Sequence, residues 1–233
     1  MLDFVRRAGG AAELVGGAAC VSQAPFTDPI FNRALPVEPP RIDLTAIATW
    51  FGDRSHIVCV TPASTALEPQ LEARGYSRGY AWMKFERDAV PPPTVESDLR
   101  VAETTDVEAF TLAGREGFGL PPELDSSFGA IVGAPGWHCF VAWAGAEPAA
   151  CAALFVDGKA GWLGLGATRP AFRRRGGQGA LLAARLETVR ALGLTTVATE
   201  TGERVDGRPS DSYRNILRAG FGEAYLRANW SSP

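Results

Sequence analysis

Thr168-Arg169-Pro170-Ala171-Phe172-Arg173-Arg174-Arg175-Gly176-Gly177-Gln178-Gly179-Ala180-Leu181-Leu182 decides how the whole chain is read. It joins an apolar run of strand length, Gly161 to Thr168, straight to a helical pattern over Gln178 to Leu192. In that pattern Leu182, Leu186, Val189 and Leu192 recur at helical spacing. The glycines at 176, 177 and 179 let the backbone turn tightly and expose its N–H groups. Those donors, together with the positive end of the helix dipole, make an anion site. Arg173, Arg174 and Arg175 add cationic side chains beside it, a combination suited to a pyrophosphate. A P-loop would end in Gly-Lys-Ser/Thr, which is absent. A dinucleotide fingerprint needs parallel strand–helix alternation on both sides, and the preceding runs read as a meander. On residue chemistry alone, a nucleic-acid patch and a purely structural Arg/Gly turn stay open as alternatives.

That meander is built from His138 to Trp143, Ala149 to Val156 and Gly161 to Thr168. Gly145-Ala146-Glu147-Pro148 and Asp157-Gly158-Lys159 are the turns between them. Upstream, Leu99 to Val101 starts a short strand. Thr104-Thr105-Asp106 caps a helix through Ala109, Phe110 and Leu112. Phe118 to Trp137 is punctuated by Gly and Pro, with a short helix near Phe128. Downstream of the long helix, Gly193 is a stop, Leu194 to Thr199 a strand, and Ser210 to Ala219 a helix ended by Gly220. Phe221 to Trp230 is the closing strand or hairpin.

Pro91-Pro92-Pro93-Thr94-Val95-Glu96-Ser97 cannot lie inside a helix or a central strand, so it marks a stiff linker or domain edge. Before it, His56 to Val60 reads as a strand, Leu67 to Ala73 as a helix and Tyr80 to Phe85 as a strand. Leu71 to Tyr76 and Ile216 to Phe221 share one grammar: helix end, glycine, aromatic, final strand. Tyr80 and Tyr225 fall at the same offset from the two glycines. This is an internal repeat of about 30 residues.

Composition narrows the classes. The 233 residues are 46% hydrophobic with a formal net charge of −3, so a sizeable core is expected and no global basic field draws the chain to nucleic acid or anionic lipid. No apolar run approaches the roughly 20 residues of a membrane span. Arg6 and Arg7 precede an Ala/Gly-rich stretch, but Glu13 interrupts it. The expectation is an amphipathic helix using Leu2, Val5, Leu14 and Val15 rather than an export signal, in a cytoplasmic protein. Cys20, Cys59, Cys139 and Cys151 are scattered without metal-ligand spacing. Reduced buried thiols and no metal are therefore expected.

The order of elements and the Arg/Gly loop resemble the GNAT acetyltransferase superfamily over about 130 residues. Its signature, Gln/Arg-x-x-Gly-x-Gly/Ala at a strand-to-helix junction, meets Arg173 and Gly176 here. The sixth position departs as Gln178, with Gly179 following. The helix and ending from Ser212-Tyr213-Arg214-Asn215 to Gly220-Phe221 also fit. The resemblance implies an α+β GNAT fold, a mixed and mostly antiparallel sheet flanked by helices. A catalytic domain would span 98–233, and a degenerate GNAT-like partial repeat without a phosphate loop would span 1–90. It also implies acetyl-CoA as co-substrate. The pantetheine arm would pair with backbone at Leu165, Gly166, Ala167 and Thr168 where the sheet splays. Arg173, Arg174, Arg175, Gly176, Gly177, Gln178 and Gly179 would hold the pyrophosphate, and Ser212 and Asn215 are further coenzyme contacts. A backbone N–H near Thr168 would stabilise the tetrahedral oxyanion.

Acyl transfer to an amine also needs a base and a proton for the leaving thiolate. Glu200, at the end of its strand, is the candidate base. The family's usual acid is a tyrosine about five residues before the Gly-Phe phenylalanine, a place held here by Ile216, so Tyr213 one turn earlier is the candidate substitute. Phe118, Phe128 and Trp137 are candidate walls for the acceptor. The expected activity is N-acetyl transfer to a primary amine of a small molecule or peptide, by direct attack in a ternary complex. The expected form is a monomer or homodimer without nucleic-acid or membrane partners. The alternative is a non-catalytic CoA-binding sensor or scaffold.

Overall fold

Helices form where the sequence supplies an acceptor ahead of an apolar face. Asp43 accepts from the N–H groups of Thr45 and Ala46, and Asp106 accepts from Ala109 N–H. The computed structural model describes residues 2–23, 28–38, 41–207 and 210–233. Its elements begin with α1 (Leu2–Arg7), β1 (Ala11–Val15), β2 (Ala18–Ser22), β3 (Asn32–Pro36), α2 (Leu44–Phe51), β4 (Ile57–Val60), α3 (Glu68–Glu72), β5 (Ser77–Arg78) and β6 (Trp82–Asp88). They continue with β7 (Arg100–Glu103), α4 (Val107–Phe118), α5 (Asp125–Gly129), β8 (Trp137–Ala144), β9 (Glu147–Asp157) and β10 (Ala160–Thr168). The last are α6 (Gly177–Ala191), β11 (Thr196–Gly202), α7 (Asp211–Arg218) and β12 (Gly222–Ser231).

The chain divides into two compact units. One runs to Met83 and takes back Tyr225–Pro233; the other is Lys84–Ala224. The sequence boundaries, 1–90 and 98–233, follow the proline run, whereas the division falls inside β6. In the first unit the strand order is β1-β2-β3-β4-β12, with β5 also on β12. One face buries Leu44, Ile47, Phe51, Leu71 and Tyr76 against Val58, Val60 and Trp230. Val5 of α1 packs on Ala12 and Val21 on the opposite face. The second unit has the order β6-β11-β10-β9-β8-β7. Alternation along β9 turns Cys151 toward Gly114 of α4 and Ala150 toward Gly177 of α6, so those helices lie on opposite faces.

Both units repeat one plan. Three antiparallel strands (β1-β2-β3, β8-β9-β10) are followed by a helix and a strand parallel to the third, β3 with β4 and β10 with β11. A short helix then ends on a left-handed glycine, Gly75 at φ +80° or Gly220 at φ +84°, before the next strand. The first sheet is closed by β12, from the other end of the chain, and the second by β6, which precedes β7 in the chain but lies beside β11. The fold is α+β, mixed and mostly antiparallel, with an N-terminal partial repeat.

One expectation fails at the N-terminus. The helix stops at Arg7, and Leu14 and Val15 belong to β1. Gly9 at φ +76° turns the chain, and a side chain at Gly10 would collide with Val5 and with the Ser22 carbonyl. His138 is a surface residue paired with Glu103, and all four cysteines are free and buried. Burial pushes the Cys139 and Cys151 thiols up to about 12, so they stay protonated core groups.

Candidate functional site

The site begins where β10 and β11 part. Their parallel pairing ends at Leu163 opposite Thr199, although β10 continues to Thr168 and β11 to Gly202. Thr199 Oγ1 donates to the Leu163 carbonyl at 2.7 Å and occupies that acceptor. On its other edge β10 bulges between Gly164 and Ala167, with Leu165 at φ +54°. Arg185, 3% exposed, braces the bulge by donating to Ala153 O at 3.1 Å and Gly164 O at 3.3 Å. Burial draws its guanidinium down to about 9. The result is a stretch of β10 from Gly164 to Thr168 whose β11-facing edge has lost its neighbour.

β10 leads into the Arg/Gly loop. Gly176 is the N-cap of α6 at φ +75°, and a side chain there would overlap the Glu96 carbonyl. Ala180 N–H is the first to close an α-helical bond, back to Gly176 O. The N–H groups of Gly177, Gln178 and Gly179 are thus the ones without an i−4 partner in the helix. The helix has no side-chain cap. Arg174 is exposed, at φ +64°, beside this end. Arg173 folds back over Thr168 O and Gly117 O, each at 3.4 Å. Arg175 turns away to bridge Asp98, with Nε–Oδ2 at 3.0 Å.

One cleft of about 1150 Å³ collects these groups. Its lining includes Gly166, Ala167, Thr168, Arg173, Arg174, Gly176, Gly177, Gln178, Gly179, Ser212 and Asn215. Leu165 and Arg175 are expected coenzyme contacts that do not line it. Leu165 is the bulge residue whose carbonyl faces the Cys151 thiol at 3.7 Å, and Arg175 is engaged by Asp98. Gln178, the departure from the signature, has a structural use. Its Nε2 donates to Thr168 Oγ1 at 3.0 Å and its Oε1 occupies the space over Gly166, tying the helix start to the strand end. A side chain at Gly179 would meet Val95 at 2.9 Å. That glycine therefore admits the proline-rich segment. Pro93 to Glu96 form a wall of the cleft, which the sequence marked only as a linker. Phe118, Phe172 and Arg218 also line it.

Glu200 sits one residue past the last β10–β11 pair. Its side chain is 7% exposed and ion-paired with Lys84 of β6. Trp162 pairs with Ala198, so strand alternation puts Glu200 on the Trp162 face. On that face Trp137 meets Phe155 at 4.8 Å and Trp162 edge-on at 6.3 Å. Of the expected acceptor walls, Phe128 and Trp137 are core residues at 8% and 5% exposure, while Phe118 lines the cleft. Tyr213 is buried and does not line the cleft. It donates to Glu223 Oε1 at 2.6 Å and meets Phe85 edge-on. Burial first, then Glu223, pushes its phenol up to about 12. The structure thus separates Tyr213 from Ser212 and Asn215, its neighbours on α7. Among the described residues, no cluster of His, Cys, Asp or Glu is placed to hold a metal.

The fold is that of the GCN5-related N-acetyltransferases. A protein of that name from Kribbella flavida superposes with a TM-score of 0.70 at 16% identity, over 100% of this chain and 96% of that one. One from Sphaerobacter thermophilus gives 0.68 at 17% identity, over 93% and 76%. A tandem GNAT protein from the clavulanic acid biosynthesis pathway gives 0.63 at 18%, over 94% and 78%, and matches the repeated plan. No protein-family model and no curated protein matches the sequence.

Proposed function

We propose that this protein is an acyl-CoA-dependent N-acyltransferase that moves acetyl from acetyl-CoA to a primary amine by direct attack in a ternary complex. The observation that carries the reading is the continuity of one cleft. The freed edge of β10, a bulge and an uncapped helix start with exposed arginine follow one another along it. The amide-bearing pantetheine arm suits a strand edge. The pyrophosphate suits the N–H groups of Gly177, Gln178 and Gly179, with Arg174 and Arg173 adding charge. Ser212 and Asn215 offer polar contacts from the α7 side.

Acetyl-CoA supplies the activated thioester. The amine nitrogen bonds to the carbonyl carbon, the C–S bond breaks, and the thiolate leaves. N–H groups on the open edge of β10 stabilise the oxyanion. The amine proton passes to Glu200, directly or through water, and the leaving thiolate takes a proton from solvent. Lys84 positions Glu200. The aromatic face of Trp137, Phe155 and Trp162 supports an apolar part of the acceptor. No helix among the described residues is long and apolar enough to cross a membrane. The reading describes a cytoplasmic enzyme acting on a small-molecule or peptide amine, as a monomer or homodimer.

Tyr213, whose proton is committed to Glu223, favours a second reading as a non-catalytic CoA-binding sensor or scaffold. Calorimetric titration with acetyl-CoA, followed by thiol release over an amine panel, separates the two. Binding with release supports the transferase, binding without release on a broad panel supports the sensor, and absence of binding overturns both.

A further inference from the structure

Arg185 of α6 is a buried cation held by carbonyl groups. Its Nε donates to Leu181 O of its own helix at 3.0 Å, and its Nη1 donates to Ala153 O and Gly164 O. Cys151 is the titratable neighbour whose charge would reach it, and burial holds that thiol up to about 12, so it brings no negative charge at neutral pH. Burial outweighs Cys151 and draws the guanidinium to about 9, which still leaves it protonated at neutral pH. Replacing a buried charge by an apolar side chain of similar volume is often neutral or stabilising, so the fold alone does not account for an arginine here.

The two strand carbonyls mark the place where β10 bulges. Ala153 and Gly164 are the last regular pair before the bulge, and Leu165 follows at φ +54°. Carbonyls alternate sides along a strand. Leu163 O faces β11, where Thr199 Oγ1 donates to it, and Gly164 O faces Arg185 and Ala153 on the β9 side. In a trans peptide the N–H points opposite to the C=O. The Leu165 N–H, on the far side of the same peptide, is therefore directed away from β9, toward the edge where pairing with β11 has ended at Leu163 and Thr199. It adjoins Gly166, where the β10 wall of the cleft begins, and Glu200 is the residue after Thr199 on the facing strand. A cation on the carbonyl oxygen polarises the amide and makes its N–H a stronger donor.

We infer that Arg185 is a positioning residue for the transfer step, fixing and polarising the Gly164–Leu165 peptide so that its N–H is the donor that meets the oxyanion. The inference rests on the acyl-CoA reading of the cleft. It moves that donor from the neighbourhood of Thr168 to the bulge and gives the bulge a use. As the amine adds to the thioester carbon, the carbonyl electron pair moves onto oxygen. The charge behind the peptide is already in place, so it stabilises the oxyanion without reorganisation.

Infrared difference spectra of acetyl-CoA labelled with ¹³C at the carbonyl, bound to the full chain without an amine, test it together with kcat and KM on an accepted amine. The thioester carbonyl band should move to lower frequency on binding to the parent. Arg185→Gln and Arg185→Met remove the charge. Each should shrink that shift and lower kcat by roughly tenfold or more, less than the ~10²–10³ of losing a donor outright, while acetyl-CoA affinity stays within about threefold. Arg185→Lys restores a cation and should recover most of the shift and of kcat. The spectrum needs no turnover, so it decides even if no amine is accepted. The inference is overturned by neutral variants whose band shift equals the parent's, or by Arg185→Lys no better than Arg185→Gln, which would make the effect one of packing. It is overturned too if neither neutral variant folds, since the arginine is then a structural brace. A parent that binds no acetyl-CoA ends the acyl-CoA reading and the inference with it, whereas equal shifts in parent and variants end the inference alone.

Discussion

Asp43 and Gly176 hold the same topological place in the two halves, each the N-cap of the helix linking two parallel strands, and they dispose of the helix N–H groups in opposite ways. Asp43 fills its own helix end by accepting from Thr45 and Ala46 at 2.9 and 3.0 Å. Gly176 has no side chain and leaves the start of α6 without a side-chain cap. A carboxylate already on the donors repels a phosphate. Acetyl-CoA should therefore bind with a stoichiometry of one per chain. Calorimetry returning two would place a second coenzyme in the first unit and defeat this account.

Arg174 is the arginine of the loop that is exposed and unpaired among the described residues, and it lines the cleft. Arg174→Glu should weaken acetyl-CoA binding at least tenfold, about 1.4 kcal/mol, with little change in Tm. The loss should shrink as salt rises, since the contact is screened. Equal affinity at low salt would remove the pyrophosphate from this loop.

The strands of the second unit and the tight Arg/Gly turn into α6 were legible in the sequence because local chemistry dictates them. Alternating apolar runs bounded by Gly-Ala-Glu-Pro and Asp-Gly-Lys made β8, β9 and β10 readable, and the glycines at 176, 177 and 179 needed no tertiary context. What escaped depends on distant neighbours. The Val95 contact with Gly179 joins residues 84 apart in sequence and turns a linker into a cleft wall. Lys84 reaches Glu200, 116 residues on, because β6 lies beside β11 rather than beside β7, its neighbour in the chain. Tyr213 was placed on the correct helix, but its direction was set by Glu223 on a later strand.

Glu200→Gln keeps the shape of the side chain and removes its basicity. On the proposed mechanism kcat/KM should fall by roughly 10²-fold near neutral pH. It should recover in part at high pH, where the amine is already free. Lys84→Met should lower Tm, because it leaves a nearly buried carboxylate without its ammonium, at a cost of roughly 1–3 kcal/mol. A flat pH–rate difference between Glu200→Gln and the parent would show that water alone carries the proton.

His56 gives the first unit an acid-sensitive core. Its ring is 3% exposed, stacks on Phe51 at 4.2 Å, donates from Nδ1 to Arg54 O and accepts at Nε2 from the Tyr76 hydroxyl at 2.7 Å. Burial lowers its pKa below the ordinary 6.5, outweighing the Arg54 carbonyl. The neutral form is thus favoured on folding. Its contribution is fully present above pH 6.5 and is lost as pH falls toward the folded-state value. Tm should drop between pH 7 and 5, and His56→Gln should be less stable at pH 7 with a shallower acid slope. A slope equal to the parent's would assign the acid sensitivity elsewhere.

Tyr213→Phe decides what the phenol does. If it were the acid that protonates the leaving thiolate, its loss would lower kcat by roughly 10²–10⁴-fold with acetyl-CoA affinity unchanged. The geometry points the other way. The hydroxyl donates to Glu223 at 2.6 Å, a phenol held up to about 12 stays protonated throughout the working range, and the ring is clasped by Phe85 and by Arg204 at 5.5 Å. The bond to an ionised acceptor is worth roughly 1.5–3 kcal/mol. Tyr213→Phe should therefore lower stability by about that amount while kcat and acetyl-CoA affinity stay within a few-fold. Glu223→Gln, which leaves the phenol an acceptor but removes the charge, should cost less than Tyr213→Phe. A hundredfold loss of kcat at unchanged Tm would restore Tyr213 as the acid and require its hydroxyl to leave Glu223 during turnover.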